Sequence, residues 1–148
     1  MSEMFIEVSK NKVFIVTIYG WIIAQTIKVI IGVIRQRRFD FRWLIGTGGM
    51  PSSHAAGAAS LATILGLEYG FDSAYFALAA SFAIVVMFDA QGVRRSTGKQ
   101  ARILNNMMED IYWKGRTSEG RLLEFIGHTP VEVFAGALLG VVVAFWLH

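Results

Sequence analysis

Residues 13–34, VFIVTIYGWIIAQTIKVIIGVI, form an apolar run of 22 residues interrupted by Gln25, Lys28 and a few small polar groups. At about 1.5 Å of rise per residue, a helix of that length crosses the hydrocarbon core of a bilayer. A lone apolar segment in lipid has no other regular structure open to it, because lipid supplies no partners for the backbone N–H and C=O groups. The run therefore commits the chain to membrane helices. The composition agrees, with hydrophobic residues making up 54% of the 148 positions.

Three more segments follow the first. Residues 51–67 are rich in Ala and Gly, a composition that packs poorly against lipid but lets neighbouring helices approach closely, so this segment belongs inside the bundle. Residues 74–88, AYFALAASFAIVVMF, form a third span ended by Asp89. Residues 131–147 form a fourth, in which Gly136 and Gly140 make a G-x-x-x-G pair suited to a helix of the same chain or of a homodimer. The expected fold is all-α: one domain over residues 1–148, an integral membrane four-helix bundle with a cytoplasmic amphipathic helical insertion at about 92–127. In that insertion Ile103, Leu104, Met107, Met108, Ile111 and Tyr112 recur at helical spacing, which places an apolar stripe on the membrane surface or over the bundle.

Four crossings put the 35–50 and 92–127 segments on one side and the termini and the 68–73 turn on the other. The first side carries eleven Lys and Arg residues, the second only Lys10 and Lys12. The positive-inside rule assigns the basic side to the cytoplasm, so the expected location is the plasma (inner) membrane. The first twelve residues, mixed in charge, do not read as a cleavable signal. The chain has no cysteine, which excludes disulfides, thiolate catalysis and cysteine-ligated metal. Its arginines lie beside spans without interleaved stacking aromatics, which argues against nucleic acid.

Several polar residues do not fit a plain bundle. Lys28 and Arg35 lie seven positions apart in the first span, within about 20° of one helix face. An intramembrane cation marks a functional site by default, although a lysine stem can also snorkel to the surface. Gly48 and Gly49 allow a tight turn, and Pro51 suits a first helical position. Ser52, Ser53 and His54 then lie in the first turn, where N–H groups and the helix dipole favour an anion. Serines also cap helices routinely, but capping does not account for His54. A phosphate bound there would favour the protonated ring, making His54 a candidate general acid. Asp89, Arg94 and Arg95 collect at the same membrane face, where the arginines suit phosphate or simply flank a span. His128 precedes the fourth span with Glu132 four residues on, close enough to orient the imidazole for attack. Thr129-Pro130-Val131-Glu132 equally reads as a capping box.

Taken together, these residues resemble the type 2 phosphatidic acid phosphatase superfamily, which also contains the vanadium haloperoxidases. That superfamily carries Lys-x6-Arg-Pro, Pro-Ser-Gly-His and Ser-Arg-x5-His-x3-Asp. Lys28 and Arg35 match the first, with Gln36 for proline. Pro51-Ser52-Ser53-His54 matches the second, with serine for glycine. His128 and Glu132 match the end of the third, with glutamate for aspartate, while Leu122 stands where its arginine belongs. The family topology implies Arg94 or Arg95 as the displaced arginine, with Arg121 the weaker candidate, and the pattern looks like a divergent four-span branch.

The resemblance implies a metal-independent lipid phosphatase without cofactor, acting on a phospholipid such as phosphatidylglycerophosphate or phosphatidic acid. In it His128 is the nucleophile that forms a phosphohistidine, Glu132 orients it and His54 is the acid. Lys28, Arg35, Ser52, Ser53 and Arg94 or Arg95 hold phosphate, with Asp89 and Gly49 in support. Vanadate sensitivity follows from the same kinship. The alternative is a non-catalytic membrane protein that binds phospholipid headgroups or other anions, a reading kept open by the altered third motif.

Overall fold

The computed structural model describes residues 2–37, 39, 41, 49–111 and 128–148. Among them the chain is helical throughout, in the order α1 (Ser2–Lys10), α2 (Lys12–Gln36), α3 (Ser53–Tyr69), α4 (Ala74–Gln91), α5 (Val93–Ile111) and α6 (Pro130–Leu147). Three of these, α2, α4 and α6, are long and apolar enough to cross a membrane. Their outward faces are large and apolar, as at Leu78, Phe88 and Trp146, all more than 70% exposed. Such surface suits lipid and not water. The chain is an integral membrane protein.

The expected interior helix is α3. It packs against α2, α4 and α6, and Ala55, Ala56, Ser60 and Ile64 on it are fully buried. Its 17 residues extend about 26 Å, somewhat short of the hydrocarbon core. Because lipid is as apolar as leucine, burial alone does not hold such helices together, and close backbone contact does. That explains the small residues. A Cβ on Gly136 would collide with the Ser52 carbonyl, and one on Gly140 with the Ala56 carbonyl. Ser60 Oγ donates to the Gly140 carbonyl across the same seam (3.0 Å). The glycine pair of α6 therefore seats α3 of its own chain. Of the two partners the sequence allows for this face, the structure shows the helix of the same chain.

Helix directions follow from contacts at the two ends of α3. At its N-terminus the Ser52 N–H donates to the Glu132 carbonyl in the first turn of α6 (3.0 Å). At the far end Lys12 Nζ pairs with Glu68 Oε1 (2.7 Å) and donates to the His148 carbonyl (2.8 Å). So α3 and α6 run parallel, with α2 antiparallel to both.

Three local expectations change. Pro51 stands before the N-cap and not at the first helical position, because Ser52 takes the cap, its Oγ accepting from the Ala55 N–H (3.4 Å). Asp89 does not end α4, which runs on to Gln91. An exposed carboxylate in a last turn terminates the apolar stretch without breaking the helix. The chain then resumes as α5 directly after Gly92, so the helix of the insertion includes Arg94 and Arg95. On α5 the stripe of Ile103, Leu104, Met107 and Met108 is exposed while Ala101 and Asn105 are buried. Tyr112, Arg121, Leu122 and Gly48 lie outside the described residues.

Candidate functional site

The parallel ends of α3 and α6 bring their first turns side by side, with the Lys28 turn of α2 and the last turns of α4 beside them. In α6, Thr129 is the N-cap and Pro130 occupies the first turn, which its fixed φ favours. The capping box is complete: the Glu132 N–H donates to Thr129 Oγ1 (3.3 Å), and the Thr129 N–H donates to Glu132 Oε2 (3.0 Å). The same Oε2 lies 3.1 Å from His128 Nδ1. Capping and histidine orientation, alternatives in the sequence, therefore share one carboxylate oxygen.

A carboxylate only accepts, so Nδ1 carries the proton in the neutral ring and Nε2 keeps its lone pair. The His128 side chain is 1% exposed, and its backbone N–H donates to the Ala90 carbonyl near the end of α4 (3.2 Å). The residue is thus tied to α4 through its backbone and to α6 through its ring.

His128 and His54 line one cavity of about 250 Å³, together with Val85, Val86, Asp89 and Ala90 of α4. His54 is exposed in the first turn of α3, whose positive end faces this region. The cavity thus joins two histidines, one carboxylate and an apolar wall of valines.

Lys28 approaches the same turn from α2. It is 8% exposed, and its Nζ donates to Gln25 Oε1 (3.1 Å) and to Ser53 Oγ at the limit of contact (3.5 Å). Gly49, at φ 85, lies against the lysine stem, where a Cβ would stand 3.4 Å from Cγ. A left-handed turn there is what the sequence expects of this glycine. Through Ser53 the lysine meets the head of α3, and the Ser52 N–H donates from there to the Glu132 carbonyl of α6.

The structure thus brings together Lys28, Ser52, Ser53, His54, His128, Glu132, Gly49 and Asp89. Arg35 is exposed in the last turn of α2, and nothing among the described residues ties it to the cluster. Arg94 and Arg95 lie in the first turn of α5, just beyond the cavity-lining end of α4. Sequence reasoning missed three contributors. Gln25 was one polar group among several in a span, although its place three residues before Lys28 on a helix was a usable signal. Val85 and Val86 looked like ordinary span residues and carried no signal.

Comparison with known proteins now decides the family. A family model described as "Divergent PAP2 family" matches residues 9–143. The chain belongs to the divergent PAP2 family. It is also 44% identical to the Bacillus subtilis (strain 168) protein named "Uncharacterized membrane protein YuiD", an alignment covering 81% of this chain and 83% of that one. No solved structure matches it. The matched residues span the cluster, from Gln25 to Glu132.

Proposed function

We propose that this divergent PAP2 protein is a membrane lipid phosphatase that hydrolyses a phosphomonoester through a phosphohistidine, without a metal. The observation that carries the reading is the His128 Nδ1–Glu132 Oε2 pairing on a cavity that His54 also lines. One ring nitrogen is held by a carboxylate and the other is left as a nucleophile, with a second imidazole at hand to move protons.

In the first step His128 Nε2 attacks phosphorus, and the bond from phosphorus to the lipid oxygen breaks. His54 gives its proton to the departing alkoxide. In the second step His54 takes a proton from water, the water oxygen attacks phosphorus, the P–N bond breaks and inorganic phosphate leaves. Lys28, Arg35, Arg94 or Arg95, and the turn at Ser52 and Ser53 balance charge on the phosphoryl oxygens. Burial of His128 keeps bulk water away from the nucleophile before a headgroup enters.

The substrate reading is a phospholipid made on the inner face, with phosphatidylglycerophosphate first and phosphatidic acid second. The apolar wall of Val85 and Val86 beside the histidines supports an amphiphile over a free sugar phosphate. In this reading α3 is a fourth crossing, the basic side faces the cytoplasm and the exposed stripe of α5 lies in the lipid interface.

The test is phosphate release from both lipids by purified wild type and His128→Ala, with EDTA and vanadate. Release that survives EDTA, falls with vanadate and disappears in the variant is the expected result. If a broad panel of phosphomonoesters gave no release while headgroup binding persisted, the protein would be an anion or headgroup binder instead.

A further inference from the structure

We infer that Gln25 is a positioning residue, which fixes the Lys28 ammonium through a neutral hydrogen bond and so keeps its positive charge available to a bound phosphate. This rests on the phosphate-seat reading of the Lys28–Ser53 end of the cluster.

A lysine in a membrane span ordinarily extends its stem to the surface, where water solvates the ammonium. Lys28 is instead 8% exposed, with its stem against Gly49. An ammonium has three N–H donors and no acceptor, so a buried one needs oxygens around it. Gln25 supplies the nearer of the two that meet it here, at 3.1 Å, with Ser53 Oγ at 3.5 Å. Gln25 is itself 7% exposed and sits one turn earlier on α2, where a three-residue spacing brings side chains together. Two donors directed to Gln25 and Ser53 leave a third direction for a ligand oxygen at the head of α3.

The chemical type of residue 25 matters as much as its reach. Glutamate would have the same length and hydrogen-bond the ammonium more strongly, but would also cancel its charge. A primary amide fixes the position and leaves the charge intact. Glu132, the carboxylate in the first turn of α6, is engaged by the Thr129 N–H and His128 Nδ1. Among the described residues no carboxylate forms an ion pair with Lys28. An amide acceptor beside an unneutralised ammonium suits a dianionic phosphate monoester.

The experiment measures binding of orthovanadate and inorganic phosphate to the purified full chain in detergent, alongside Tm, for wild type, Lys28→Met, Gln25→Leu, Gln25→Glu and Gln25→Asn. Gln25→Leu should weaken both anions about tenfold, the loss expected when a charged group is no longer held by its hydrogen bond. Gln25→Glu should weaken them at least as much, although its hydrogen bond to Lys28 persists. Gln25→Asn, whose acceptor is one carbon short, should show a partial loss. A purely structural Gln25 would instead lower Tm and leave anion affinity in the folded fraction unchanged, most plainly in the Glu variant. That result overturns the inference, and the Glu and Asn variants decide if the Leu variant does not fold. If wild type binds neither anion, the phosphate seat itself is wrong and the inference falls with it. If Lys28→Met abolishes binding while every Gln25 variant binds as wild type does, only the role of Gln25 fails.

Discussion

At the scale of single residues, Glu132 performs two tasks with one oxygen, and they can be separated. A capping box accepts glutamine as readily as glutamate, so Glu132→Gln should leave the start of α6 intact and cost less than about 1 kcal/mol of stability. The amide nitrogen can, however, donate to His128 Nδ1, which shifts the ring proton to Nε2 and removes the attacking lone pair. Turnover should therefore fall by about two to four orders of magnitude. Phosphate release and Tm measured on the same preparation check both halves, and a large fall in Tm would show that capping dominates. The pairing was legible in the sequence because His128 and Glu132 are four apart at the head of an apolar run. The sharing of one oxygen was not, since spacing gives proximity and leaves the choice of atom to rotamers. Pro51, expected at the first helical position, stands outside the helix for a related reason: Ser52 takes the cap, and its N–H is held by the Glu132 carbonyl, a tertiary contact that local sequence does not give.

At the scale of helices, the geometry of the candidate site depends on how closely α6 approaches α3. The backbone carbonyls of Ser52 and Ala56 stand where side chains on Gly136 and Gly140 would go, and backbone cannot swing aside as a flexible side chain can. Gly136→Val should destabilise the protein by about 1–3 kcal/mol, the usual cost of overpacking. It should also disturb the bond from the Ser52 N–H to the Glu132 carbonyl, so phosphate binding should be lost before unfolding. Gly57→Ala is the control. Its Cβ would meet Trp21 Cβ at 3.5 Å, an ordinary contact, and its Tm should stay close to wild type. Equal Tm losses in the two variants would show that the close seam is not special. The sequence marked Gly136 and Gly140 as a packing face but did not name the partner, because the motif specifies only close approach. It placed the apolar runs well, since length and hydropathy determine a span. It ended α4 too early at Asp89, since a carboxylate marks the boundary of the apolar layer and not that of the helix.

At the scale of the molecule, the two ends differ in kind. One joins α2, α3 and α6 through Lys12, Glu68 and His148, and the other gathers Lys28, Ser53, His54, His128 and Glu132. Which end faces inward determines which lipids the cluster meets, and the basic residues around the second end argue for the cytoplasm. The native chain has no cysteine, so single cysteines report sidedness without background. Phe41 before α3 and Asn106 on α5 are exposed and flank the α3–α4 pair in sequence, and Asp72 is exposed in the turn between α3 and α4. In spheroplasts a membrane-impermeant maleimide should label Asp72→Cys at once, and Phe41→Cys and Asn106→Cys only after permeabilisation. That pattern requires both α3 and α4 to cross, making α3 the fourth span despite its 17 residues. Should Phe41→Cys and Asp72→Cys share a side, α3 enters and returns without crossing, and the bundle has three spans. The reversed pattern would put the histidines outside, where lipid pyrophosphates on the outer surface become the better substrates. A glycerophospholipid intermediate made in the cytoplasm would then no longer reach them.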